Sequence, residues 1–313
     1  MDDDSEVIAW LLAGDAACRH QTGRDLLDNA ADLDPGLLAA VPSDGAAAAI
    51  LAARHTDGHW GLGFYQPKWT STHYSLLELA ELGLPGDHAA AVASTALVVR
   101  DCKGADGGLN PRGSQSASDA CINGMGLRYA AHFGAPLDDL VSIVDFLLAW
   151  RMDDGGFNCQ ANRSGVSHSS MHTTVCVMEG CAAYLAAGYS HRADEVRAAQ
   201  MSAAEFLLQH NVFRSHRTGE PIRPAFMLLH HPARWHFDVL RGMEALVAAG
   251  VIDDPRTRDA LSVLTGHRRP DGRWAAARGY PGETHVAYPR AGEPNRWVTL
   301  RALRVLRRVC PSG

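Results

Sequence analysis

Cysteine is scarce and scattered in this chain. Its 313 residues hold seven cysteines at irregular spacings, and no two of them form a CxxC pair. A large chain with this cysteine usage does not have the disulfide framework of a small secreted domain. We therefore expect reduced thiols in a cytoplasmic protein. Any metal site must draw on ligands other than a CxxC pair.

Long apolar runs and a basic leader are also missing. The longest apolar stretches, such as Ala245–Val251, fall far short of the ~20 residues that a membrane span needs. The chain begins Met-Asp-Asp-Asp, without the basic segment of a secretory signal. Its formal net charge is −6, from 29 basic and 35 acidic residues. This balance gives no reason to expect nucleic acid or an anionic membrane as a partner.

What the chain does contain is an internal repeat. The strings DGHWG, DGGLN, DGGFN and DGRWA begin at Asp57, Asp106, Asp154 and Asp271. The first three are 49 and 48 residues apart, and the last follows after 117, about two longer units. The divergent stretch RTGEPIRPAF, from Arg217, stands where the missing copy is expected. Repeats of this length indicate stacked supersecondary units.

Each unit predicts two helices around its Gly/Asp/Pro turn. The first is amphipathic and therefore an outer helix, and the second is rich in small and apolar residues and therefore an inner helix. The predicted outer helices are Ser5–Leu12, Gly45–His55, Ala89–Arg100, Leu137–Arg151, Arg192–His210 and Arg256–His267, and the inner helices are Ala17–Leu27, Thr72–Leu82, Ala120–Ala131, Thr173–Ala186, Phe237–Ala248 and Val298–Arg308.

About six such pairs favour an all-α fold, an α6–α6 toroid with two concentric rings in a single domain over residues 1–313. An open helical superhelix that binds a partner is the alternative. The nearly all-apolar inner helices favour the closed form, since they are expected to be buried on every side. The long turns before the inner helices gather at one end, where functional side chains are expected.

An acid and a thiol lie two residues apart in SASDACINGMGL, at the start of one inner helix. The next inner helix opens with MHTTVC, which places His172 53 residues after Asp119. Carboxylate, thiolate and imidazole are good zinc ligands, and three of them with one open position is the catalytic pattern. Taken singly, each residue has a simpler structural explanation: Asp119 as a helix N-cap, Cys121 as a core residue and His172 as a polar group whose hydrogen bonds are satisfied.

The DG repeats resemble those shared by squalene–hopene-type terpenoid cyclases and by the β subunits of protein prenyltransferases, over nearly the whole chain. The segments Lys68–Pro85 and His230–Gly250 are similar to actinobacterial members of that group. The cyclase branch carries an Asp-x-Asp-Asp acid, which this sequence lacks, since Arg151-Met152-Asp153-Asp154 has no first aspartate. Cyclases also line their cavity with aromatics, and aromatic residues make up only 7% of this chain.

The prenyltransferase β branch implies a Zn²⁺ site. Its Asp-x-Cys and His motifs match Asp119, Cys121 and His172, and the resemblance makes these three the metal ligands. The segment before Asp119 departs from the family at one position. Arg112 is present as a substrate contact, but Ser116 occupies the position of a lysine that holds diphosphate in the family.

Helical spacing adds further candidates. From His172, positions i+4 and i+7 are Cys176 and Glu179, so both face the same way. A carboxylate in an apolar barrel has a raised pKa and acts as acid or base, whereas a salt bridge to Arg128 or Arg241 is the equal alternative. The remaining candidates lie at or near the starts of inner helices: Asn123 and His73 as substrate contacts, and His236 and Asp238 as catalytic groups.

These observations predict a zinc-dependent enzyme that acts on a hydrophobic, isoprenoid-like small molecule, by transfer or cyclisation in bacterial natural-product metabolism. The chemistry follows from the resemblance, because a fold alone does not fix function. The first alternative is a non-catalytic zinc-containing toroid that binds a ligand or protein. The second is a zinc-free, terpene-cyclase-like acid catalyst. The sequence shows no partner resembling the prenyltransferase α subunit.

Overall fold

The computed structural model describes residues 4–27, 34, 36–111, 117–161 and 165–309. Within these ranges the regular structure is helical, with thirteen α-helices and three short 3-10 helices. Three isolated β-bridges occur in the turns. No helix in the described part of the chain is long and apolar enough to cross a membrane. The prediction of an all-α fold is confirmed.

Along the chain the α-helices alternate between the two sets that the sequence predicts, and we name them outer and inner after that prediction. The outer helices are α1 (Ser5–Leu12), α4 (Gly45–Ala52), α6 (Ala89–Asp101), α8 (Leu137–Ala149), α10 (Ala193–Gln209) and α12 (Arg258–Gly266). The inner helices are α2 (Ala16–Leu26), α5 (Thr72–Glu81), α7 (Ala120–His132), α9 (Met171–Ala186), α11 (Val239–Ala248) and α13 (Arg296–Val309), and a short α3 (Gly36–Ala40) follows α2.

Burial distinguishes the two sets as their sequences predict. In α5 every residue from Thr72 to Leu79 is buried, whereas α10 buries one stripe and exposes the rest. A helix buried all round needs neighbours on every side. The inner helices meet this need in sequence order, because α5 contacts α7, α7 contacts α9, α9 contacts α11, and α11 contacts α13. Helix α13 then contacts α2, so the last inner helix meets the first.

The repeated DG turns are fastened to the inner helices by a repeated pair of hydrogen bonds. The residue three positions after each aspartate is buried, and its backbone N–H donates to a side-chain oxygen of the following inner helix. The same side chain donates back to the carbonyl of that residue. The pairs are Trp60 with Thr72, Leu109 with Asn123, Phe157 with Thr174, and Trp274 with Thr299.

The divergent fourth unit uses a different fastening. A turn over residues 214–221, closed by the Arg214–Pro221 bridge, takes the place of the DG turn. Asp238 then caps α11 by accepting from the Arg241 N–H, and its second oxygen accepts from the His230 N–H. Because Asp238 is the cap, α11 begins at Val239 rather than at the predicted Phe237.

Helices α7 and α9 approach each other with their backbones almost in contact. A Cβ at Gly124 would lie 2.5 Å from the carbonyl oxygen of Cys176, and a Cβ at Gly180 would lie 2.4 Å from that of Gly124. Neither position has room for a methyl group, since the clashing atoms belong to backbone. These two glycines therefore fix the spacing of the helices that carry Cys121 and His172.

We expect Gly124→Ala to destabilise the protein by about 1–3 kcal/mol, because the added methyl must push α7 away from α9. Urea unfolding measures the loss. Gly266→Ala, in the last turn of α12, is the matched control, since a Cβ there meets nothing within 4 Å. This control should keep or raise the free energy of unfolding. Equal stability of the two variants would contradict the close approach of α7 and α9.

Candidate functional site

The predicted metal ligands lie at the same end of adjacent inner helices. Asp119 immediately precedes α7 with extended backbone, Cys121 lies in the first turn of α7, and His172 lies in the first turn of α9. Asp119 and Cys121 are close enough to interact electrostatically, whereas the His172 side chain has other neighbours. The His172 ring packs against Phe226 and Trp235, and its Nδ1 accepts a 2.7 Å hydrogen bond from the backbone N–H of Phe237.

The described residues contain no group of three His, Cys, Asp or Glu side chains arranged to hold a metal ion. As placed, the three side chains therefore do not fit a bound zinc ion. The motif positions are at the expected helix starts, but the zinc site itself stays a prediction.

Cys121 instead lies beside Cys159, a thiol in the next DG turn. The Cys121 N–H donates to Cys159 Sγ at 3.0 Å, and the Thr173 hydroxyl donates to the same sulfur at 3.4 Å. A hydrogen bond from the Cys121 thiol lowers the pKa of Cys159 against the opposing effect of burial. The structure makes Cys159 the direct neighbour of a predicted ligand.

The zinc prediction is tested by metal analysis of the purified protein. If Asp119, Cys121 and His172 close on an ion, the protein should carry about one zinc per chain, and Cys121→Ala should remove it. Cys181→Ala is the control, because Cys181 is buried within α9, ten residues from its first turn. A preparation with well under one zinc per chain would rule the prediction out.

The other histidines predicted at this end are packed among aromatic rings. The His236 ring stacks on Tyr280 with centroids 3.5 Å apart and on Trp235 with centroids 3.7 Å apart. Burial, helped by the nearby His172, lowers the pKa of His236 to about 3. Burial lowers the pKa of His73 to about 3 as well, and its Nδ1 lies 3.3 Å from the Tyr129 hydroxyl. Both rings are therefore neutral near pH 7.

Three other predicted site residues are engaged in structural hydrogen bonds. The Asn123 side chain accepts the hydrogen bond from the Leu109 N–H in the DG turn, and its amide also donates to the carbonyl of Asp119. Asp238 is the cap of α11. Cys176 Sγ is 3.6 Å from the carbonyl oxygen of Trp235, and burial raises its pKa to about 12. Arg112 and Ser116 lie outside the described residues, and the roles of all these residues in substrate binding or catalysis stay predictions.

Deeper in the molecule, partly buried ion pairs link the inner helices. Arg128 of α7 lies 2.9 Å from Glu81 of α5 and 3.0 Å from Glu179 of α9. Glu179 also accepts hydrogen bonds from Nε and Nη2 of Arg241 of α11, each at 2.7 Å. Four helices are thus joined by one chain of alternating charge.

The remaining inner helices continue this chain. Arg301 of α13 lies 2.5 Å from Glu244 of α11, and Arg304 of α13 lies 2.6 Å from Asp25 of α2. Gln21 of α2 accepts from Arg304 at 2.9 Å. The amide of Gln21 then donates to the backbone carbonyl of Glu81 in α5, also at 2.9 Å. We call this closed circuit through all six inner helices the ion-pair ring.

The ring corrects the expectation for Glu179. Burial alone would raise the pKa of this carboxyl, but Arg241 and Arg128 outweigh burial and lower the pKa to about 2. The raised pKa predicted for an apolar barrel is therefore wrong, and the salt bridge left open as the alternative is what forms. Glu179 is ionised at neutral pH and fully engaged by two guanidinium groups. Its catalytic role remains a prediction.

The ion-pair ring lines a cavity of about 770 Å³ that extends to the C-terminal ends of the inner helices. Seven arginines and four carboxylates face it, together with an apolar wall of alanines from α9 and α11. A smaller cavity of about 480 Å³ lies at the other end, between Trp69 and the loop of residues 276–291. The arginines of this cavity were not predicted from the sequence. Three of them, Arg301, Arg304 and Arg308, have a spacing that marks one face of the last inner helix.

We expect Glu179→Gln to destabilise the protein by about 3–5 kcal/mol, because the buried Arg241 and the partly buried Arg128 lose their shared carboxylate. In the folded protein the pKa of Glu179 is lowered to about 2 from 4.5. The ionised carboxylate therefore contributes its full share to the free energy of unfolding above about pH 4.5, and this share is lost as the pH falls towards 2. Urea unfolding at several pH values should show the difference from wild type shrinking over that window. Glu6→Gln, on the exposed face of α1, should behave like wild type at every pH.

No known family model and no curated protein matches the chain. Solved structures show a remote likeness. The type II terpene cyclase MstE from Scytonema is 16% identical, with a TM-score of 0.34 over 85% of this chain and 96% of that chain. A protein from Actinoplanes is 18% identical, with a TM-score of 0.32 over 85% of this chain and 99% of that chain. Scores this low do not establish a common fold or activity.

Proposed function

We propose that the chain is an enzyme that takes an isoprenoid-like, hydrophobic small molecule into the cavity of about 770 Å³. The single observation that carries the proposal is this cavity and its position against the inner helices. Its volume lies in the range of small-molecule sites, and such sites combine apolar walls with a few placed polar groups. The proposed architecture is the α6–α6 toroid. The contacts that run from α5 through α7, α9, α11 and α13 to α2 support it, and the hydrogen bond from Gln21 of α2 to Glu81 of α5 completes the circuit.

The apolar wall gives the ligand its chemical class. It consists of small side chains from the last turns of α9 and α11, so it offers a smooth surface without polar groups to satisfy. A flexible hydrocarbon chain suits such a surface, because its burial releases water from both partners. The residues of this wall are Ala182, Ala183, Ala186, Ala245, Val247 and Ala248.

The reaction we propose is transfer or cyclisation. The zinc-free acid catalyst is disfavoured, since each carboxylate named for that role is already bound. Glu179 is held by two arginines, and both oxygens of Asp238 accept backbone hydrogen bonds. Protonating either group would break contacts that the fold uses. A non-catalytic toroid that binds a ligand would use the same cavity. It would differ from the proposed enzyme only in that it does not turn the ligand over.

Binding of farnesol, followed by isothermal titration calorimetry, tests the proposal. We expect saturable binding to the wild-type protein, and Ala183→Trp should abolish it because the indole fills the cavity beside the apolar wall. Ala149→Trp, on the exposed face of α8, is the control and should bind like wild type. Circular dichroism confirms that each variant folds.

Should Ala183→Trp fail to fold, Ala186→Leu at the exposed rim of the same wall replaces it and should weaken binding. Absence of farnesol binding to wild type, or unchanged binding by the cavity variants, would contradict the proposed function. Turnover of isoprenoid substrates then separates an enzyme from a binding protein.

A further inference from the structure

We propose that His210 and His216 form a surface site for a divalent transition-metal ion of the tetragonal class, Cu²⁺ or Ni²⁺. The pair lies where α10 ends and the turn of the divergent fourth unit begins. Neither histidine lines either of the two cavities described above, and neither is a predicted zinc ligand. The inference therefore goes beyond the proposed function and does not depend on it.

The first observation is the distance between two ring nitrogens. His216 Nδ1 lies 3.1 Å from His210 Nε2, with the ring centroids 4.9 Å apart and the ring planes at 82°. Imidazole nitrogens bind transition metals at about 2.0–2.1 Å. Two such bonds at right angles, as in the tetragonal geometry of Cu²⁺ and Ni²⁺, place the nitrogens about 3 Å apart. The pair thus has the spacing of two neighbouring ligands of one ion.

The second observation is the hydrogen bond on the other nitrogen of His210. His210 Nδ1 donates to the backbone carbonyl of Phe206 at 2.9 Å, so Nε2 carries the lone pair and faces His216. The Phe206 ring also packs on the imidazole, with the centroids 4.6 Å apart. A metal-binding histidine is typically oriented in this way, because it donates its second ring N–H to a carbonyl or carboxylate. His210 is therefore held in the tautomer that a metal ligand needs.

The third observation is the turn that positions His216. The N–H of Ser215 donates to the carbonyl of Glu220, and the N–H of Gly219 donates to the carbonyl of Ser215, each at 2.8 Å. Arg214 Nη1 donates to the carbonyl of Gly219 at 2.9 Å. These hydrogen bonds fix the backbone on both sides of His216, so metal binding has less loop entropy to overcome.

Two protein ligands make an open site. The part of the chain that the structure describes contains no group of three His, Cys, Asp or Glu side chains that could hold an ion, so water completes the coordination here. His216 is exposed, which gives an ion and its water ligands direct access. Arg214 in the same turn is paired with Asp259 at 2.6 Å, so its positive charge is compensated. Such a site binds an ion in exchange with solvent and needs no change in the fold.

An ordinary hydrogen bond between the two rings competes with this inference. In that case His216 Nδ1 carries a proton and donates to His210 Nε2, and the pair only closes the turn. A metal ion replaces that proton, because both nitrogens must be unprotonated to bind it. The two explanations therefore differ in whether the pair takes up an ion.

Calorimetric titration of the purified protein with Ni²⁺ distinguishes the two explanations. We expect one saturable site per chain, and His216→Ala should weaken it by about tenfold or more, since one of its two protein ligands is lost. The electron paramagnetic resonance spectrum of the Cu²⁺-loaded protein should show two imidazole nitrogens in wild type and one in His216→Ala. Because the ion binds the folded chain, Ni²⁺ should raise the Tm of wild type more than that of the variant.

His267→Ala is the matched control. His267 follows α12 as His210 follows α10, and its Nε2 lies 2.9 Å from the carbonyl oxygen of Met227 rather than beside a second histidine. This variant should keep the full Ni²⁺ affinity and both nitrogens. Cys121→Ala should keep them as well, which separates this site from the predicted zinc ligands.

Should His216→Ala perturb the turn, His216→Gln replaces it, because the amide can still donate to His210 Nε2 but is a poor ligand for these ions. Absence of a saturable Ni²⁺ site in wild type, or equal affinity of wild type and both His216 variants, would overturn the site and leave the pair as a hydrogen bond. These outcomes do not bear on farnesol binding, which tests the proposed function separately.

Discussion

The ion-pair ring is the interaction on which the rest of this molecule depends. Six inner helices that are apolar on most of their surfaces could slide or rotate against one another, because dispersion and burial are not directional. Charged hydrogen bonds are directional. Arg128, Glu179 and Arg241 each contact a neighbouring inner helix at 3.0 Å or less, and the circuit closes through Gln21. Removing Glu179 leaves the buried Arg241 without its carboxylate, so this pair in particular holds α9 and α11 in register.

The ring also changes what the interior can do. A barrel lined only by apolar side chains would raise the pKa of a carboxylate and make it an acid. Here the same carboxylate lies between two guanidinium groups, and its pKa falls to about 2. The interior is therefore a fixed arrangement of dipoles and ions beside a wall of alanines. An arrangement of this kind favours a ligand that has both an apolar and a polar part.

The two ends of the molecule have different chemistry. At the end where the inner helices begin, histidine rings pack against aromatic rings, and burial keeps His73 and His236 neutral. The thiols of Cys121 and Cys159 lie at this end as well. At the end where the helices finish, arginines outnumber carboxylates around the larger cavity. Zinc, if it binds, belongs to the first end, and the proposed ligand belongs to the second.

Much of the architecture could be predicted from the sequence by itself. The spacing of the DG turns and the alternation of amphipathic with nearly apolar segments gave the order of outer and inner helices, because the 3.6-residue period and glycine turns are local properties. The starts of α7 and α9, and with them the positions of Asp119, Cys121 and His172 at one end, were predictable for the same reason.

Only the tertiary structure decided which side chains meet. The sequence treated Glu179 as an acid or an ion pair with equal weight, and the choice depended on Arg128 and Arg241, which lie 51 and 62 positions away. Likewise Asn123 was predicted as a site residue, because nothing local reveals that its partner is the backbone of Leu109 in the preceding DG turn. The local sequence pattern determines the position of a side chain along its helix. The partner of that side chain, and hence its charge and chemistry, depends on packing between helices that are distant in the chain.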